Sequence, residues 1–392
     1  MKCKKFIAGA LAAATLGGTN FAGVAGADGQ NPQPAGTGWD DRVDRIVGGG
    51  SDTTYPWHLL AEKIYNQAGG CRVVTSSTSA NKGNCQTSAA AQDQTDITGN
   101  WDHDVAVSAY PTGSSAGVKE LTTSAVAGNL YDYARSSRGP ATSGETGTTF
   151  WGVAKDAVAV VTFGARPVGN LTDQEIKDIY NCTKTDWSQV GGGQMGSGPI
   201  IPIGMNPDSG TYATFGTFLG SAANNQSCVV GLNGTKTTYP FENDVKQLNE
   251  NTWLNEHRGN AIWWMSASAW NAYPFKRQDA KLNTVNGKSP INLSHVVTGQ
   301  YPITRFIYHV TRTADAAPVG STDEVTGGTS GKSGAVREFT EFLCKNTTRH
   351  GLNEYSGLSN SVELGKAYAS TGFLAVPTNQ RTNGVCNVIA AP

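Results

Sequence analysis

Three times along this chain a strand-like run ends in a turn of glycine and hydroxyl residues, and each turn opens a stretch of helical period. The turns are Gly48-Gly49-Gly50-Ser51-Asp52-Thr53-Thr54, Gly113-Ser114-Ser115-Ala116-Gly117 and Asp208-Ser209-Gly210-Thr211. Strands that repeatedly feed helices through short turns confine a chain to the α/β class. A helix start also presents N–H groups without intrahelical partners and a partial positive charge. Small residues let an anion approach that backbone, and hydroxyls add donors. Any one such turn is an ordinary N-cap, whereas three that converge make an oxyanion site that needs no lysine.

The rest of the chain keeps the same alternation. Apolar runs at 45–47, 105–107, 157–161, 200–203 and 306–310 predict strands, and amphipathic stretches at 55–68, 172–180, 212–219 and 334–344 predict helices. Thr172 and Glu175 have the spacing of a capping box, which fixes one helix start. The Gly/Ser/Thr-rich stretches 190–198 and 319–334 read as loops.

The first 27 residues read as a secretory signal peptide: basic Met1 to Lys5, an apolar run from Phe6 to Leu16, and Ala25-Gly26-Ala27 at the cleavage point. Residues 28–40 read as a disordered leader of Gly, Pro and polar residues. The signal carries three of the 30 Lys+Arg, leaving 27 against 31 Asp+Glu. This mildly acidic balance excludes the basic excess expected of a nucleic-acid partner. No later run is apolar and long enough to span a bilayer, and no lipidation cysteine sits at the cleavage point, so the expectation is a periplasmic or extracellular protein that is not lipid-anchored. Six cysteines remain: Cys71, Cys85, Cys182, Cys228, Cys344 and Cys386. They allow 15 pairings. Nearest-neighbour pairing, Cys71–Cys85, Cys182–Cys228 and Cys344–Cys386, is the expectation, since each pair brackets one insertion or terminal segment. Neither CxxC nor a histidine cluster is present, so no metal or cofactor is expected.

Other motifs lead nowhere. Arg45-Ile46-Val47-Gly48-Gly49 resembles a protease activation site but lacks the sequence contexts of a catalytic triad, and Gly331-Lys332-Ser333 lacks the first P-loop glycine because residue 326 is Thr. Trp263, Trp264, Trp270 and Tyr273 could stack a sugar, although the neighbouring Ala261-Ile262 and Met265 suggest a buried strand.

In their order and spacing, the three turns, together with Ala134-Arg135-Ser136-Ser137-Arg138, the run Leu171 to Tyr180 with Trp187, and Gly299-Gln300-Tyr301-Pro302-Ile303, resemble the phosphate-binding receptors of bacterial phosphate ABC transporters. The likeness spans residues 45–376. It implies a type II periplasmic-binding-protein fold, an α/β architecture of two lobes joined by two crossing strands. One lobe takes residues 41–157 and 303–392, the other 158–302. The implied ligand site is Asp52, Thr53, Ser114, Ser137, Arg138, Ser209, Gly210 and Thr211. The sequence departs from the family pattern where its ligand-binding aspartate falls at Ser137 and its arginine at Asn206. Arg135 and Arg138 flank Ser137 and could replace that arginine, or could pair with carboxylates. Asp52 could accept a ligand proton, or simply cap the following helix.

The resemblance thus implies a non-catalytic, monomeric solute receptor that clamps a small oxyanion, phosphate first among them, and hands it to an ABC transporter permease. The alternatives are a secreted binding or adhesion protein of the same fold without a transporter, and a secreted serine hydrolase.

Overall fold

The computed structural model describes residues 48–69, 113–123, 131–314 (without 132, 142, 243–244 and 273–278), 336, 339–340, 343–344 and 360–391. The signal and leader segments, the 105–107 run, Cys71, Cys85 and Tyr273 lie outside them.

Strand β1 (Gly48–Gly50) runs into α1 (Tyr55–Gly69), and α2 (Ser114–Thr123) precedes β2 (Tyr133–Ser136) and β3 (Thr148–Thr162). There follow β4 (Asn170–Leu171), α3 (Asp173–Tyr180), β5 (Ile201–Pro202), α4 (Gly210–Leu219), α5 (Val245–Glu250), α6 (Thr252–His257), β6 (Ala261–Ser266) and α7 (Ala267–Ala272). The chain continues through β7 (Lys281–Leu282), β8 (Thr284–Val285), α8 (Leu293–Val297), β9 (Thr304–Arg312), α9 (Asn360–Thr371), β10 (Leu374–Ala375) and β11 (Asn387–Ala390). Local chemistry explains the starts. Thr172 accepts from the Glu175 N–H at 3.0 Å while the Glu175 carboxylate accepts from the Thr172 N–H at 2.9 Å, the capping box expected from the sequence. Helix α4 starts at Gly210, two residues before its first apolar residue, because the Ser209 hydroxyl caps it by accepting from the Thr211 N–H.

One curled sheet runs in the order β1-β2-β9-β3-β6-β5. Strand β3 organises it. Its first half pairs antiparallel with β9, β10 and β11, and its second half pairs with β6 and β7. The sequence reveals only its 157–161 core, because Lys155 and Asp156 break the apolar pattern. Both are buried and satisfied, Lys155 by Gln380 and Asp156 by Arg305.

The apolar clusters divide into two bodies. Residues before Ala157 and after Ile303 build the first body, and residues 157–303 build the second. The chain passes between them at 157–158 and 303–304, where the Val158 N–H donates to the Ile303 carbonyl at 2.8 Å. Trp263 and Trp264 are buried in β6, with Trp264 stacked on Phe215 at 4.3 Å, so these two are core rather than a sugar platform.

Two of the expected disulfides are present, Cys182–Cys228 and Cys344–Cys386, while the Cys71–Cys85 pair falls outside the described residues. The first closes a separation of 46 residues. In the chain-entropy account a loop of that size stabilises by about 4 kcal/mol. Replacing Cys182 and Cys228 by serine should therefore lower the unfolding free energy by about that amount in non-reducing urea titrations.

The first body also buries a histidine pair. His58 and His309 are both fully buried with ring centroids 5.9 Å apart, and Tyr133 lies 4.8 Å from His309. Burial holds both below the ordinary histidine range, His309 down to about 3. The unfolded chain protonates these rings first, at about pH 6.5. Their contribution to stability is thus complete above pH 6.5 and is lost as pH falls towards 3. His309 alone should account for about 2 kcal/mol between pH 6.5 and 5, and urea titrations should show that slope reduced in His309→Gln.

Candidate functional site

The three turns meet where the two bodies touch. The first is held by strand pairing: β1 lies parallel to β2, and the Ser51 N–H donates to the Arg135 carbonyl at 2.9 Å. Ser51, Asp52, Thr53 and Thr54 are all buried. The second turn is anchored on the first, since the Gly113 N–H donates to the Gly50 carbonyl at 2.9 Å. Gly113 has φ +87°, a left-handed conformation, and a Cβ there would lie 2.4 Å from the Asp208 carbonyl oxygen of the other body. Only glycine permits both the turn and that approach. The third turn arrives from the second body, and the Ser115 N–H donates to the Asp208 carbonyl at 3.2 Å, a backbone bond across the interface.

The side chains then interlock. The Ser137 N–H donates to the Ser114 hydroxyl at 2.9 Å, and the two hydroxyls lie 3.2 Å apart. Both face Gly210, where a Cβ would come within 2.3 Å of the Ser114 Oγ and 2.4 Å of the Ser137 Oγ. Thr53 and Thr211 bring their hydroxyls to 3.3 Å from opposite bodies. Asp52, Thr53, Ser114, Ser137, Ser209, Gly210 and Thr211 are thus gathered at one buried contact. Arg138 is turned away from it. Its guanidinium donates to both Glu145 oxygens, at 2.5 and 3.2 Å, and to the Ser115 hydroxyl at 3.2 Å. It lines an open cleft of about 720 Å³ between the bodies, with Tyr212, Phe218 and Ile303. Arg135 is buried and donates to the Gly48 carbonyl at 3.1 Å.

Arg305, at the start of β9, enters the contact. It donates to the Thr211 hydroxyl at 2.8 Å and to the Ser137 carbonyl at 3.1 Å, tying the bodies together. Two further donations reach Asp156 Oδ2, at 2.9 and 3.0 Å. Burial pushes the Asp156 carboxyl upward, while the Arg305 charge and hydrogen bonds oppose that. Arg305, Asp156 and Glu242 were absent from the sequence-derived site. Glu242 is fully buried, accepts from the Thr53 hydroxyl and from the Ser266 N–H at 2.5 Å, and is pushed up to about 7 by burial and by the Asp52 charge. Asp156 shares a strand with Lys155, and Glu242 lies in a loop, so neither carries a motif of its own, and the signal available for Arg305 was its place beside the second expected crossing strand.

Hydroxyls, a helix N-terminus and a guanidinium around one point suit a tetrahedral oxyanion. Among the described residues no group of three or more His, Cys, Asp or Glu could hold a metal ion, and no helix is long and apolar enough to cross a membrane.

A search of curated proteins finds no match. Among solved structures, the chain is similar to an ABC-type phosphate transport receptor from Vibrio cholerae, at 18% identity over 84% of this chain and 99% of that one, with a TM-score of 0.46. It is also similar to a phosphate-binding protein from Stenotrophomonas maltophilia, at 15% identity over 85% of this chain and 91% of that one, with a TM-score of 0.48. A family model described as the PBP superfamily domain matches residues 64–347, most of the chain, and the protein belongs to that family.

Proposed function

We propose that the protein is an exported, monomeric receptor that clamps a small oxyanion, phosphate first among the candidates, between its two bodies and delivers it to an ABC transporter permease. The observation that carries this reading is the set of donors from both bodies at one buried contact: Thr53, Ser114 and Ser137 from one, Thr211 and the α4 start from the other, with Arg305 reaching across. Membership of the PBP superfamily supports a binding role without catalysis. Ligand closure would then be a hinge motion at 157–158 and 303–304, where two antiparallel strands run side by side.

Thermal-shift measurements with phosphate, arsenate, sulfate, molybdate and a sugar panel test the reading. A rise in melting temperature with phosphate at or below millimolar concentration, and none with sugars, is the expected result. Stabilisation by a sugar alone, or hydrolysis of generic ester substrates, would contradict it.

A further inference from the structure

The oxyanion site contains an anion of its own. Glu242 lies in the loop before α5 and is fully buried. Its Oε2 accepts from the Thr53 hydroxyl of the other body, and its Oε1 accepts from the Ser266 N–H at 2.5 Å. That same Thr53 hydroxyl lies 3.3 Å from the Thr211 hydroxyl, which Arg305 holds at 2.8 Å. One carboxylate thus uses a donor from each body, beside the site's guanidinium, as a bound oxyanion would.

We propose that Glu242 is a built-in occupant of the oxyanion site, bridging the two bodies in the absence of ligand, and that an anion enters when Glu242 takes up a proton from solvent and surrenders these donors. The inference rests on the oxyanion-receptor reading. The protonated carboxyl then turns from competitor to hydrogen-bond donor, so one proton enters the site with each anion.

The surroundings favour such a proton. Asp52 faces Glu242 from the first turn, and its negative charge resists ionisation of the carboxyl. Arg305 faces it from β9 and favours ionisation, but that guanidinium is also engaged by Asp156 of β3. Thr53 and Ser266 contribute neutral donors that favour the charged form. Arg135 of β2 directs its guanidinium to the Gly48 and Ser51 carbonyls. Burial outweighs the favourable contacts and leaves the carboxyl at about 7. Above that pH the carboxylate is ionised and competes with ligand, so affinity falls by up to about ten-fold per pH unit. Below it the affinity levels off.

Titration calorimetry between pH 6 and 9, in buffers of different ionisation enthalpy, reads the proton uptake directly. Phosphate and sulfate serve as probes, since sulfate stays fully ionised throughout and any pH dependence then belongs to the protein. Wild type is expected to take up about one proton per anion at pH 8.5, beyond the exchange seen in Glu242→Gln. The variant is expected to bind at least ten-fold more tightly than wild type at that pH. Binding by Glu242→Gln where wild type shows none would also support the proposal. Equal pH dependence in the two proteins, or loss of binding in Glu242→Gln at every pH with an unchanged melting temperature, would overturn the proposal and leave the receptor reading standing. Absence of anion binding by both proteins at every pH would overturn both.

Discussion

Arg305→Ala is expected to destabilise the protein by about 3–5 kcal/mol, the cost of leaving a buried charge without its partner. Asp156 has a side chain only 1% exposed and receives two donations from that guanidinium, so truncation strands a carboxylate that burial already disfavours. The same change removes both bonds that Arg305 makes to Ser137 and Thr211, so phosphate affinity should fall as well. Adding Asp156→Asn removes the stranded charge and should recover a large part of the stability but little of the affinity. Urea titrations of wild type, both single variants and the double variant form the cycle that separates the two effects. A loss below about 1 kcal/mol for Arg305→Ala would show that solvent reaches Asp156 freely.

Gly210→Val is expected to weaken phosphate binding by at least about 100-fold, or ~2.7 kcal/mol. A first side-chain carbon at this position would overlap both serine hydroxyls and also approach the Ser137 carbonyl carbon to 2.9 Å. The hydroxyls can rotate, but the backbone carbon cannot retreat without moving β2 and the two strands it pairs with, β1 and β9. The two bodies should therefore stop short of full contact while each keeps its own core. Small-angle scattering at saturating phosphate should show the variant more extended than wild type, with its melting temperature without ligand changed by only a few degrees. Wild-type affinity in this variant would mean that ligand is held without the approach of α4 to Ser114 and Ser137.

The parts of the molecule legible in the sequence are those written in adjacent residues. Thr172 and Glu175 signal a helix start because the capping box closes within four residues, and the small-residue turns at 48–54, 113–117 and 208–211 signal helices because caps are local chemistry. The approach of Gly210 to Ser114 and Ser137 was legible only through the family resemblance, since those residues come from separate elements. Arg305 was hidden for the same reason. Arg135 and Arg138 lie beside Ser137 in the sequence, whereas the guanidinium that reaches the Ser137 carbonyl comes from a strand 168 positions later. Arg138 instead closes on Glu145, seven residues away, a pairing that the sequence allowed but could not choose. Glu242 is the extreme case. A second acidic residue, Asp244, follows two positions on in the sequence, and nothing there tells the two apart or indicates that the fold carries Glu242 into a contact with Thr53, 189 positions earlier.

In the proposed receptor, one oxyanion is held by groups from both bodies. Titration calorimetry with phosphate at pH 6.5, on wild type and on Thr53→Val and Thr211→Val, tests it most directly, because those two hydroxyls approach each other from opposite sides of the contact. Wild type is expected to bind one phosphate per chain, and each variant to lose about 10- to 100-fold in affinity, the worth of one hydrogen bond to a charged ligand. No phosphate binding by the wild type at millimolar concentration, or binding that neither substitution changes, would contradict it.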